Sequence, residues 1–212
     1  MIFVCGSSWS TGVFAKNVSW ADYLGEMLNM EVVNYSSGGV GNDYIVRRTL
    51  EYFKDNTANL CIINWAPQSR REYMINGEWS YIVPWFHDWD EKSRKMYENN
   101  ALTKPDWKEV RDFHVKHLHD DKRDYVNTDN YYTLLTTYLK YRDIPYLCFS
   151  VDDYTNDDPY FMKDRMYYVC KEYLNKYNHP NPEGHKIWAQ KVYDALNVPI
   201  GNMSVMDGVN AS

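Results

Sequence analysis

The chain has 212 residues, enough for one domain with a sizeable core and no need of metal or disulfides to fold. Its formal charge of −6 argues against nonspecific binding to nucleic acid or anionic membrane, and no apolar run approaches the roughly 20 residues of a membrane span. Four cysteines (Cys5, Cys61, Cys148, Cys170) show no CxxC spacing and read as small buried hydrophobes of a reducing compartment.

The first predicted element is a strand, Ile2-Phe3-Val4-Cys5, which breaks at Gly6 into Ser7-Ser8-Trp9-Ser10-Thr11 and closes at Gly12. Because the chain opens as a strand, without a basic segment followed by an apolar stretch, no signal peptide and a cytoplasmic location are expected. A tight loop after a strand lifts a serine off the end of a sheet, where chemistry gathers in open α/β folds, so Ser8 is a candidate nucleophile. The loop hydroxyls can also serve only to bond backbone and cap the next helix.

Ser19 and Asp22 then resemble a capping box, and Trp20, Tyr23, Leu24, Met27 and Leu28 fall on one helical face. Glu31 to Tyr35 predicts a second strand, running into the flexible loop Ser36-Ser37-Gly38-Gly39-Val40-Gly41-Asn42. A helix follows from about Asp43 to Phe53, with Ile45, Thr49, Leu50 and Phe53 inward, and Leu60 to Trp65 makes a third strand. This alternation predicts parallel pairing in a four- or five-stranded sheet with right-handed crossovers.

Residues 73–127 break the rhythm and read as an insertion after the third strand, polar and rich in aromatics, with Gly77, Pro84 and Pro105 as punctuation and a helix near 105–119. The chain carries 20 Tyr, 8 Trp and 7 Phe, a content that suits either a filled core or a surface facing carbohydrate or protein. His114, His117 and His119, followed by Asp120 and Asp121, can be posed as metal ligands, but His119 leaves the helix face that the first two share; a solvated helix end is the simpler reading.

Regular structure resumes with a helix over 129–142, carrying Tyr131, Leu134, Leu135 and Tyr138, and a fourth strand over Ile144 to Ser150, ending in Val151-Asp152-Asp153. A further helix is predicted from about Tyr160 to Tyr177. The last helix follows His179-Pro180, with Asn181 as N-cap, Pro182 at its first position, and Ile187, Trp188, Val192 and Leu196 toward the sheet. One domain over 1–198 is expected, with a loose tail over 199–212.

The strand ends thus bring a serine, a glycine-rich turn, Asn64 beside Trp65, and a histidine toward one sheet edge. A serine needs a base within hydrogen-bond reach, and His179 is the obvious one. Attack on an ester makes an oxyanion that requires preorganised donors, such as loop N–H groups or a side-chain amide.

These residues carry a resemblance to the SGNH, or GDSL-type, hydrolase superfamily. Gly6-Ser7-Ser8-Trp9-Ser10 is similar to the family's GDSxT block, which implies Ser8 as nucleophile and its N–H as an oxyanion donor. Asn34-Tyr35-Ser36-Ser37-Gly38-Gly39 resembles the second block and puts Gly39 in the next donor role. Lys176-Tyr177-Asn178-His179-Pro180 resembles DxxHP, making His179 the base, and the nearby Gly184-His185 a structural feature of the helix start. The resemblance implies a flavodoxin-like three-layer α/β sandwich and no metal or organic cofactor. It also implies a serine esterase acting through an acyl-enzyme on a small carboxylic ester or an acetylated glycan.

Three positions depart from the pattern. Ser7 replaces an aspartate, Lys176 stands where the triad acid belongs, and Asn64-Trp65-Ala66-Pro67 only partly keeps the third block, leaving Asn64 as a substitute donor. A backbone carbonyl, or Asp152 or Asp153, is then left to orient His179. Trp9, Trp65 and Arg70 are further candidates for contact with substrate, and Arg70 with Arg71 for an anionic one. The aromatic insertion also resembles SGNH-like proteins of tailed phages, which would admit a virion association or partner, or an oligomer. The rival expectation is a binding or structural protein that keeps the fold without the chemistry and uses the insertion as its surface.

Overall fold

The computed structural model describes residues 1–75, 77–83, 105–197, 199–200 and 203–204. In chain order the elements are β1 (Ile2–Gly6), α1 (Trp20–Leu28), β2 (Val32–Asn34), α2 (Asn42–Asp55), β3 (Leu60–Trp65), β4 (Arg71–Ile75), β5 (Glu78–Ile82), α3 (Pro105–Phe113), α4 (Asp121–Tyr141), β6 (Tyr146–Ser150), α5 (Met166–Cys170) and α6 (Pro182–Leu196). β2, β1, β3 and β6 pair in that order as a parallel sheet.

Both faces of this sheet are covered over β1, β3 and β6, which is why those strands are continuous, nearly all-apolar runs. Ile2, Val4, Leu60, Ile62, Leu147 and Phe149 face α1, α5 and α6 on one side. Phe3, Cys5, Cys61, Ile63, Trp65 and Cys148 face α2 and α4 on the other. The result is the expected flavodoxin-like three-layer α/β sandwich. All four cysteines are free and buried.

The caps behave as their sequences predict. Asp22 accepts hydrogen bonds from the Ser19 backbone N–H at 2.6 Å and the Ser19 hydroxyl at 2.8 Å, and Asn181 accepts from the Gly184 N–H at 3.0 Å. α1 buries Trp20 and Leu24 but leaves Met27 exposed, because Gly25 rather than Met27 faces β2: a Cβ there would lie 2.6 Å from Val32 Cγ2. His185 on α6 joins the two helices, its Nδ1 accepting the Trp20 N–H at 3.1 Å.

Several expectations need correction. The helix expected over 129–142 starts eight positions earlier, at Asp121, capped by Asp120, whose carboxylate accepts the Arg123 N–H at 2.8 Å. Its inner face is Tyr132, Leu135, Thr136 and Leu139, while Leu134 is exposed. The span 160–177 is helical only over α5 and a 3-10 turn at Lys171–Tyr173. Its apolar start instead serves the open edge of β6: the Cys148 N–H donates to the Tyr160 carbonyl and the Met162 N–H to the Cys148 carbonyl, each at 2.8 Å.

Within the expected insertion, β4 and β5 form an antiparallel hairpin. Arg47 of α2 grips it through Glu72 (2.8 and 2.5 Å) and lies over the Trp79 ring. The helix near 105–119 is present as α3, followed by a π-helical turn over His114–Leu118. Residues 84–104 of the expected insertion and most of the expected tail lie outside the described residues. Among the described residues no helix is long and apolar enough to cross a membrane.

Two interior polar contacts generate predictions. Ser10 Oγ accepts from Trp20 Nε1 at 3.0 Å and from Asn64 Nδ2 at 2.7 Å, both buried. Ser10→Ala strands both donors and is expected to cost about 2–3 kcal/mol in urea unfolding; a loss under about 0.5 kcal/mol would show the hub to be replaceable. The His185 ring is buried, and burial, helped by the neighbouring His179 and opposed by Asp22, pushes it down to about 4 from 6.5. The unfolded chain therefore binds the extra proton first, and stability falls as pH drops from about 6.5 to about 4, by up to about 3 kcal/mol from this group. His185→Gln is expected to be weaker at neutral pH yet to lose less on acidification; an unaltered pH slope would contradict this.

Candidate active site

The site is built where β1 ends. Gly6 is required there because a Cβ would fall 2.6 Å from Asn64 Cβ. The chain then turns through a 3-10 turn, Ser8–Ser10, closed by the Ser10 N–H on the Ser7 carbonyl at 2.9 Å. The Ser10 carbonyl accepts from Asn34 Nδ2 at 2.7 Å, so β2 also holds the turn. Ser8 Oγ emerges from it 2.8 Å from Nε2 of His179.

His179 arrives on a turn just ahead of α6. The Asn175 N–H donates to the His179 carbonyl at 2.8 Å, and Asn178 adopts a left-handed φ of 60°. His179 Nδ1 lies 2.7 Å from the Tyr177 carbonyl oxygen. A carbonyl can only accept, so Nδ1 carries the proton and Nε2 is left to accept from the Ser8 hydroxyl. Phe14 and Trp9 flank the ring, with centroids at 4.2 and 5.9 Å. Burial pushes the ring down to about 4; the Tyr177 carbonyl opposes this and the charge of Arg70 adds to it.

Of the residues singled out from sequence, Ser8 and His179 are therefore brought together. Gly39 sits at φ +77° in a loop moored beside them, since the Ser37 N–H donates to the Gly6 carbonyl at 3.0 Å. Trp9 is a mostly buried wall between His179 and Tyr167. Arg70 is buried too, close enough for its charge to act on His179 and Asp152. Arg71 turns away to Asp124 at 2.5 Å and to the carbonyls of Gln68 and Arg70.

Other candidates are displaced. Asn64 is fully buried with its amide nitrogen on Ser10, so it points beneath the turn and not into a cleft. Trp65 is also fully buried, packed on Tyr132 and Tyr154. Asp153 is spent on Arg165 at 2.7 Å, and Asp152, its acidity weakened by burial, keeps a buried Oδ1 without a hydrogen bond among the described residues. Nδ1 of His179 meets the backbone carbonyl of Tyr177, and neither acid is placed there. His114 meets the Tyr73 hydroxyl at 2.8 Å, His117 packs on Phe113, and His119 pairs with Asp124 at 2.9 Å. Among the described residues no group of three or more His, Cys, Asp or Glu has the geometry to hold a metal.

Sequence reasoning missed Asn42, Phe14 and Asn175. Asn42 locks the loop after β3, donating to the Ala66 carbonyl at 3.1 Å and accepting the Ala66 N–H at 2.8 Å. Asn175 lies one position outside the DxxH window, so motif spacing alone passes over it; Asn-x-Tyr-Asn-His as a turn signal could have found it.

No protein-family model matches the sequence, and no curated protein matches it significantly. Solved structures do. An acetyl xylan esterase from the rumen bacterium Butyrivibrio proteoclasticus aligns at a TM-score of 0.52 and 13% identity, over 92% of this chain and 63% of that one. A protein described as lipolytic and of the G-D-S-L family, from Desulfitobacterium hafniense DCB-2, aligns at 0.43 and 15% identity, covering 92% of this chain and 98% of that one. The acetyl xylan esterase AlAXEase aligns at 0.38 and 9% identity, over 100% and 96%. At this identity what the chain shares with the Butyrivibrio esterase is its fold, a three-layer α/β sandwich around a mainly parallel sheet.

Proposed function

We propose that the chain is a serine ester hydrolase of SGNH type, acting on a small carboxylic ester or on an O-acetyl group of a carbohydrate. The observation that carries this reading is the 2.8 Å contact between Ser8 Oγ and an unprotonated His179 Nε2. Ser8 attacks the ester carbonyl as His179 takes its proton, and the tetrahedral oxyanion is held by the N–H groups of Ser8 and Gly39. Ser8 stands at the start of its turn, where N–H groups have no partner within the turn. The imidazolium then protonates the leaving alkoxide, and water, activated by the same ring, releases the acid and regenerates Ser8. Each step runs on this chain's own groups, and none calls for a metal or organic cofactor. The fold shared with an acetyl xylan esterase supports an acetylated glycan as the substrate class.

A second reading, a binding protein on the same fold, is favoured by two observations: Asn64 is withdrawn as a third oxyanion donor, and Ser8 is only 6% exposed. Loss of one donor costs about a hundredfold in rate or more, so the enzyme reading predicts slow turnover.

Incubation with p-nitrophenyl acetate and with a fluorophosphonate probe separates the two. Turnover and labelling that vanish in Ser8→Ala are the expected result, and an inert wild type supports the binding reading. Because the ring must be neutral to accept a proton, and its affinity is lowered to about 4, initial rates should hold from neutral pH down to about 4 and fall below it. An acid limb near about 6.5 would mean the imidazole is solvated rather than buried.

A further inference from the structure

We infer that Asn175 is a positioning residue for His179, its neutral amide holding the turn whose Tyr177 carbonyl meets the ring at Nδ1. The inference rests on the Ser8 and His179 pair being the reacting pair, and it stands on hydrogen bonds that converge on one side chain. Asn175 Oδ1 accepts the Tyr177 N–H at 2.8 Å and the His179 N–H at 3.4 Å. Its backbone accepts the Asn178 N–H at 3.0 Å and donates to the His179 carbonyl at 2.8 Å. Its Nδ2 donates to the Phe14 carbonyl at 3.3 Å, and the Phe14 ring lies against the imidazole.

These contacts have one geometric product. Asn178 is left-handed, a conformation that asparagine tolerates, and the Asn175 amide oxygen holds the turn on both sides of it through the Tyr177 and His179 N–H groups. The turn so held aims the Tyr177 carbonyl at Nδ1 at 2.7 Å. That contact keeps the proton on Nδ1 and the lone pair of Nε2 on Ser8. Let the carbonyl swing away, and the tautomer that donates from Nε2 becomes available, which cannot take the serine proton. The same amide tethers Phe14, so ring orientation and tautomer are set together.

The test compares Asn175→Ala and Asn175→Asp with wild type. Removing the amide is expected to lower kcat about a hundredfold with KM changed less than about threefold, because the ring is misaimed and the substrate walls are not. Nitrogen-15 NMR of the His179 ring should show the Nδ1–H form mixing with the Nε2–H form. Asn175→Asp keeps an acceptor for both N–H groups and should recover most of kcat. It also sets a carboxylate near a ring otherwise faced by the cation Arg70 and by His185, so the acid limb should move above about 4. An alanine variant that loses stability while kcat and tautomer stay unchanged overturns the inference. So does an aspartate variant with an unmoved limb. Should wild type prove inert toward esters, the proposed function fails by itself, and the NMR tautomer in the two variants still decides the role of Asn175.

Discussion

Everything at this site depends on one hydrogen bond between residues 171 positions apart, from Ser8 to His179. Nothing local could make it. β1 must run parallel to β3 so that its carboxyl end opens on the same edge as the end of β6, and α6 must lie back along α1 so that the residue three places ahead of its first turn reaches that edge. The Trp20 N–H on His185 Nδ1 registers α1 against α6, six residues from the His179 ring. The geometry is therefore a product of the helix layer as much as of the serine loop.

The loop after β1 works for the fold and the site at once, and the two uses compete. Ser10 gathers the Trp20 indole, the Asn64 amide and, through its carbonyl, the Asn34 amide, which fixes the turn that presents Ser8. An amide committed to that hub cannot also face an oxyanion. The buried polar network that fixes the Ser8 turn is thus what withdraws Asn64 beneath it; under the proposed function, the serine would gain preorganisation and the oxyanion would lose a donor.

Parallel strands and their crossovers were legible because strands buried on both faces are continuous apolar runs, and β1, β3 and β6 met that description, while β2 is a short edge strand with Asn34 exposed. Ser8 and His179 were legible because each interrupts such a pattern at a strand end or a helix start. What was not legible depends on tertiary partners. Residues 160–162 read as part of a helix by composition, yet the open edge of β6 claims their backbone; the inward face of α4 is set by which residues meet Trp65 and Phe161, and periodicity left it rotated by about one position. The hairpin was legible in principle, since Asn76-Gly77 between two alternating runs is a two-residue turn signal, but it was absorbed into a stretch read as irregular. Trp65 and Asn64 were misplaced for a common reason: at the end of a strand, alternation says which face a side chain takes, and not whether a neighbouring loop covers it.

The charge balance follows from the neutral third member. In a triad the imidazolium forms beside a carboxylate; in the proposed reaction it would form beside a backbone carbonyl, in a setting where burial pushes the ring down to about 4, a cost of about 3 kcal/mol in the free protein. That cost applies to a ring charged alone. In the proposed reaction the proton would arrive as the substrate oxygen becomes negative, so the charge pair created in the dry site would be neutral overall, and low polarity strengthens such an attraction. The charge of Arg70 adds to the cost of the lone charge by disfavouring the imidazolium. Under the proposed function, such a site would keep its histidine neutral at rest across ordinary pH and charge it only in company with an anion.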